Sequence, residues 1–92
     1  MAGVSTEAAA VQGAISLCQQ SIQNFSKAST DLSRKHQAAG SFWKDSKYQQ
    51  LGGIVNECTG ALNKPVKELE DCVRKLTALY KAVLEYEKTR VK

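Results

Sequence analysis

Any acid–base, nucleophilic or metal chemistry in this chain has to be assembled around His36, its only histidine. The groups that could join it are Cys18, Cys58, Cys72 and the acidic run Glu68, Glu70 and Asp71. A zinc site or a thiol–imidazole pair needs cysteines at short fixed spacing or a histidine beside one, and the sequence has neither. On a helix, Glu68, Glu70 and Asp71 point to different faces and cannot converge on one cation. The pair Gly52-Gly53 lacks the lysine and the spacing of a phosphate-binding loop. His36 falls near the end of a helical segment, where its charged form is favoured by the dipole, and that accounts for it without catalysis. The reading is a non-enzymatic chain with no metal, no cofactor and no small-molecule substrate.

Three cysteines are an odd number, so a disulfide framework is not expected either, and reduced thiols are. The net charge of +4 is not a basic block. Residues 64–92 carry basic and acidic side chains interleaved, as in "KPVKELEDCVRK", which describes a solvated helix face and not a nucleic-acid stripe. Only the C-terminal Lys88, Arg90 and Lys92 lean the other way, and no nucleic-acid partner is expected. The opening "MAGVSTEAAAVQGAIS" has no basic n-region and no apolar core of signal-peptide length. Apolar runs are too short to span a bilayer.

The elements that must position these residues are helices. Val11, Ile15, Cys18, Ile22, Phe25 and Leu32 follow alternating spacings of four and three, with Ser29 at the skipped position. Ser5 or Thr6 can cap the start, Glu7 suits the first turn, and Gly40 is expected to end the helix in a left-handed conformation. A second series runs Tyr48, Leu51, Val55, Cys58, Leu62, Val66 or Pro65, Leu69, Cys72 or Val73, Leu76, Leu79 or Tyr80, Val83 and Tyr86. The prediction is a single all-α domain over residues 1–92: helix one at about 5–39, a bend at 40–45, and helix two at about 46–90. The two would run antiparallel as a hairpin, the second roughly 65–70 Å long.

Pro65 removes a backbone hydrogen bond and crowds the preceding turn. Because Leu62 and Leu69 keep their seven-residue spacing across it, a kink near 65 is expected and not a break. Apolar content on helix two exceeds one seam, with Ile54 beside Val55, Val73 beside Cys72 and Tyr80 beside Leu79. A stripe that wide suits two hairpins dimerising into a four-helix bundle. Val73, Leu76, Tyr80 and Val83 are the expected partner interface. With the bend centred near residue 42, Cys18 should face Val66 and stand about six residues out of level with Cys72.

The bend itself, "GSFWKDSKYQQ", concentrates aromatics that are costly to leave in water. Phe42 either plugs the end of the core or joins the partner interface, and Trp43 sits beside Asp45, a natural N-cap for helix two. Trp43-Lys44-Asp45 followed by Tyr48 at mid-chain, between two long helices in under a hundred residues, resembles the WXG-type (ESAT-like) proteins. These are small helical hairpins exported by type VII secretion systems, chiefly of Gram-positive bacteria, without a cleaved signal peptide. The resemblance spans nearly the whole chain by architecture and is carried locally by Trp43, Asp45 and Tyr48.

Two departures qualify what the resemblance implies. Asp45 stands where the family's Trp-x-Gly has glycine. The family's C-terminal Tyr-x-x-x-Asp/Glu export signal is not met, since Tyr80 is followed at the fourth position by Leu84 and Tyr86 by Arg90. The resemblance therefore implies a secretion substrate or targeting chaperone whose companion supplies the signal. That companion would be a related helical protein in a homodimer or heterodimer, or the helical N-terminal domain of a larger effector such as an LXG-type toxin. It also implies engagement by a secretion ATPase, and passage from the bacterial cytoplasm to the cell surface or medium. The alternative expectation is a cytosolic coiled-coil adaptor with no export role.

Overall fold

The computed structural model describes residues 5–91, with side chains described through residue 89. Two helices account for nearly all of it: α1, Thr6–Ala39, and α2, Ser46–Val91. They pack along their length as an antiparallel hairpin measuring 72 × 22 × 12 Å. The radius of gyration is 20.6 Å, against about 12 Å for a compact domain of this length.

Each end of α1 has a chemical reason. The Ser5 hydroxyl accepts from the Ala8 amide at 3.0 Å, Glu7 occupies the first turn, and His36 the last. Gly40 closes the helix at φ −65° and ψ −16°, so the left-handed cap expected there is not formed. Its lack of a side chain serves a close approach instead. A Cβ at Gly40 would stand 2.5 Å from the Tyr48 hydroxyl and 3.1 Å from the carbon bearing it.

The seam follows the alternating three–four rhythm. On α1, Ala8 is buried, and Val11, Ile15, Cys18, Ile22, Phe25, Ser29, Leu32 and His36 are half-buried. On α2 the covered line is Tyr48, Gly52, Val55, Thr59, Leu62, Val66, Leu69, Val73, Leu76, Tyr80, Val83 and Glu87. Where the sequence offered two neighbours for one seam position, Val73 is covered and Cys72 exposed, Tyr80 is covered and Leu79 exposed, and Val66 and Pro65 are both half-buried. Thr59 is half-buried where Cys58, which is exposed, was expected. Pro65 lies inside α2, which runs through it unbroken.

Ala8 and Val55 are the only buried apolar residues among those described, and no large side chain is fully enclosed. A two-helix layer cannot surround its own seam, so the seam side chains other than these two keep one flank open to solvent. Exposed surface totals 6981 Å², where a compact chain of 10.0 kDa would show about 5,200 Å².

The level of the two helices differs from expectation. Gln12 donates to the Tyr80 hydroxyl at 2.9 Å, and the His36 ring lies against Gly52. The midpoints of these pairs fall at Ser46 and Lys44, not at residue 42. The cause is visible in the bend: the amide of Trp43 donates to the Ala39 carbonyl at 2.9 Å, and Ser41 and Phe42 donate to Ala38 and Ala39. The chain thus continues α1's turn through Trp43 before reversing, which moves the mirror point toward the C-terminus. Cys18 consequently shares a level with Cys72, not Val66. All three cysteines remain unbonded, Cys18 half-buried and Cys58 and Cys72 exposed.

Candidate functional site: an aromatic knot at the bend and an uncovered apolar face

Asp45 organises the bend. Its Oδ1 accepts from the amides of Lys47 at 3.0 Å and Tyr48 at 3.3 Å, capping α2, and from the Trp43 indole N–H at 2.7 Å. One carboxylate oxygen therefore both starts a helix and holds the tryptophan. A glycine at this position could do neither through a side chain.

Tyr48 ties the other strand of the knot. Its hydroxyl donates to the His36 carbonyl at 2.8 Å, satisfying one of the orphan acceptors at the end of α1. Its ring stacks on the His36 imidazole, centroids 4.5 Å apart and planes 6° from parallel, while Trp43 lies tilted 6.1 Å from it. Gly52 completes the pocket, because a Cβ there would meet His36 Nε2 at 3.0 Å. That nitrogen is buried and has no hydrogen-bond partner. His36 is thus held in the bend between the Tyr48 ring and Gly52.

The predicted residues separate into three groups. Trp43, Asp45 and Tyr48 are brought together as one bonded cluster. Phe42 stands apart at 74% exposure, so it does not plug the core. Val73, Leu76, Tyr80 and Val83 are half-buried on the α1-facing line of α2, and belong first to the seam of the hairpin itself. What remains open to a partner is their outer flank.

Sequence reasoning missed part of the knot and the outline of the outer face. His36, Gly40 and Gly52 join the bend across a chain reversal, which leaves no periodic signal. The outer face is a column of every seventh residue on α2: Leu51, Cys58, Pro65, Cys72, Leu79 and Tyr86. Leu79 is 51% exposed and Tyr86 62%, and Ile54 and Leu17 extend the same side at 58% and 66%. Beside the column, α1 offers the small Ala14, Ser21 and Ala28. An open depression of about 240 Å³ at the mouth of the hairpin, lined by Glu7, Ala82, Val83, Tyr86 and Glu87, belongs to this side too. The opposite side carries Gln12, Gln19, Asn56, Asn63, Lys67, Arg74 and Lys81, with the half-buried Leu84 ending the Asn56–Asn63 column. Among the described residues, no cluster of histidine, cysteine and acidic side chains is gathered to hold a metal ion, and no helix is long and apolar enough to cross a membrane.

Charge is handled locally. Lys27–Asp31, Asp71–Arg74 and Asp71–Lys75 are exposed pairs within single helices. Hydrogen bonds from Lys27 to Asp31, and from Lys75 and Arg74 to Asp71, hold both carboxyls below the usual aspartate range.

Comparison with protein-family models, curated proteins and solved structures finds no match for this chain.

Proposed function

We propose that this protein is a non-enzymatic helical-hairpin binding module of the WXG type, acting as a substrate or targeting chaperone of a type VII secretion system. Its partner in this reading is another helical chain: a related hairpin, or the helical N-terminal domain of a secreted effector. Passage would run from the bacterial cytoplasm to the cell surface or medium.

The observation that carries the proposal is the bend. A plain helical hairpin needs only a short polar loop, whereas this one holds a tryptophan in a fixed pose through Asp45 and leaves the residue 37% exposed. An aromatic that is both pinned and accessible is the chemistry of a recognition anchor. The uncovered apolar face beside it fits a helix laid alongside, with anchors recurring every third or fourth residue.

The same face would serve a cytosolic coiled-coil adaptor. The missing Tyr-x-x-x-Asp/Glu pattern favours that second reading, unless a companion supplies the signal.

Export separates them. Trp43→Ala and Trp43→Phe would be expressed beside wild type in a bacterium carrying the secretion apparatus, with medium and cells assayed and melting as the control. The proposal expects both variants to stay folded, Trp43→Ala to lose export, and Trp43→Phe to retain part of it. Export of Trp43→Ala at the wild-type level would remove the reason for assigning the chain to secretion.

A further inference from the structure

The two faces of the hairpin divide its charge. Along the sequence of α2, basic and acidic residues are interleaved, but the helix sorts them by sevens. Lys67, Arg74, Lys81 and Lys88 fall in one column, all exposed, on the side turned away from Leu79 and Tyr86. They stand about 10.5 Å apart and together span about 31 Å. In the neighbouring column on this side, which runs through Asn56 and Asn63, Glu70 is the one carboxylate. Four cations less one anion leave +3 on this face, against +4 for the whole chain.

Ion pairing leaves most of that charge available. Arg74 leans to Asp71 at the edge of the column, whereas Lys67, Lys81 and Lys88 join no ion pair among the described residues. The α1 half of the face offers amides and hydroxyls and no carboxylate, with Gln12, Ser16, Gln19, Gln23 and Ser26. An open depression of about 380 Å³ lies there, lined by Gln12, Ile15, Ser16 and Tyr80. Toward the bend the basic column continues as Gly60 and Gly53, where a Cβ would meet nothing within 4 Å. With no side chain at either position, another backbone can come close to α2.

We propose that this basic face docks an acidic α-helix whose carboxylates recur every seventh residue, laid along α2 from Gly53 to Lys88. The inference concerns the face opposite the apolar one and does not rest on the secretion reading. A straight row of cations at heptad steps is matched in length and repeat by another helix, whose own columns advance by the same about 10.5 Å. Each exposed pair is weak by itself, so selectivity comes from keeping four in register. A single-stranded nucleic acid fits the face less well, because no exposed aromatic stands on it for bases to stack against. A second copy of the chain does not supply the acidic column either. Its Glu57, Asp71 and Glu85 share one column, but Lys64 and Ala78 interrupt it.

The test uses the full chain and a labelled, alanine-based helical peptide of five heptads with glutamate at every seventh position. An isomer of the same composition, with its glutamates spread around the helix, is the control. Fluorescence anisotropy should show the column peptide binding about tenfold more tightly than the isomer, and releasing as salt is raised. Lys67→Glu with Lys81→Glu should weaken binding by roughly tenfold or more. Lys47→Glu with Lys64→Glu makes the same change in net charge away from the column and should leave affinity within about twofold. Gly60→Leu should weaken binding while the melting temperature holds or rises, since leucine favours the helix and blocks only the approach from outside. Equal binding of the two peptides, equal losses from the two double variants, or no binding at low salt each overturn the proposal. So does a duplex DNA oligonucleotide that displaces the peptide at lower concentration than unlabelled peptide does. Loss of export on Trp43→Ala bears on the secretion reading alone.

Discussion

At the scale of single residues, Asp45 and Trp43 divide one task. Trp43→Ala removes the indole donor, but Asp45 keeps its two backbone amides. The loss should be about 1–2 kcal/mol, well below the 3–5 kcal/mol typical of truncating a buried aromatic. Asp45→Ala removes the cap and the indole's acceptor together, and should cost about 2 kcal/mol or somewhat more by denaturant melting. Adjacent glycines give a sharper contrast. A Cβ at Gly53 meets nothing within 4 Å, so Gly53→Ala should stabilise α2 by up to about 1 kcal/mol. At Gly52 a Cβ reaches His36 Nε2 at 3.0 Å and Cε1 at 3.2 Å, and the stacking on Tyr48 keeps that ring from yielding. Gly52→Ala should therefore lose the propensity gain and lower the melting temperature. Melting curves for the two variants side by side check this; equal stabilisation would mean His36 is free to move. Nothing in the structure explains why positions 53 and 60 hold glycine.

At the scale of the helices, spacing was enough to place the elements and too coarse to place the seam. The capped N-termini, the two lengths and the passage of α2 through Pro65 were legible, because each depends on local chemistry or on phase. The seam was read along Cys58, which is exposed while Thr59 beside it is half-buried, and at the level of Leu51 the covered line also takes in Gly52. Glycine and threonine give a weak apolar signal, yet Gly52 is what leaves room for the His36 ring against α2. The level of the helices was hidden for a related reason: nothing in the spacing reveals that the bend spends its first residues extending α1's turn. Val55, at 8% exposure, is the point where α2 is most firmly seated, and Val55→Ala should cost about 1–3 kcal/mol. The exposed pairs contribute little. Because Asp31 and Asp71 titrate below the ordinary aspartate range, what stability they add is present above that range and fades as pH falls through their folded values. A helicity titration should be flat near neutrality and drop only in strong acid.

At the scale of the molecule, the hairpin is a layer with one polar and one apolar side, and the apolar side decides its behaviour. Leu79 distinguishes a finished fold from half of a larger one. If α2's outer column simply faced water, Leu79→Ala would change stability by under about 0.5 kcal/mol, as surface substitutions do. If it is covered, the same change should cost about 2–4 kcal/mol. The most direct measurement is the melting temperature of wild-type protein as a function of its concentration, from low micromolar to near-millimolar. An assembly completed by a second copy is stabilised by mass action, so the melting temperature should climb steadily with concentration, and Leu79→Asp should flatten the climb. A melting temperature that stays constant across that range would contradict completion by a second copy, because it would mean that this thin hairpin is stable with its apolar face bare.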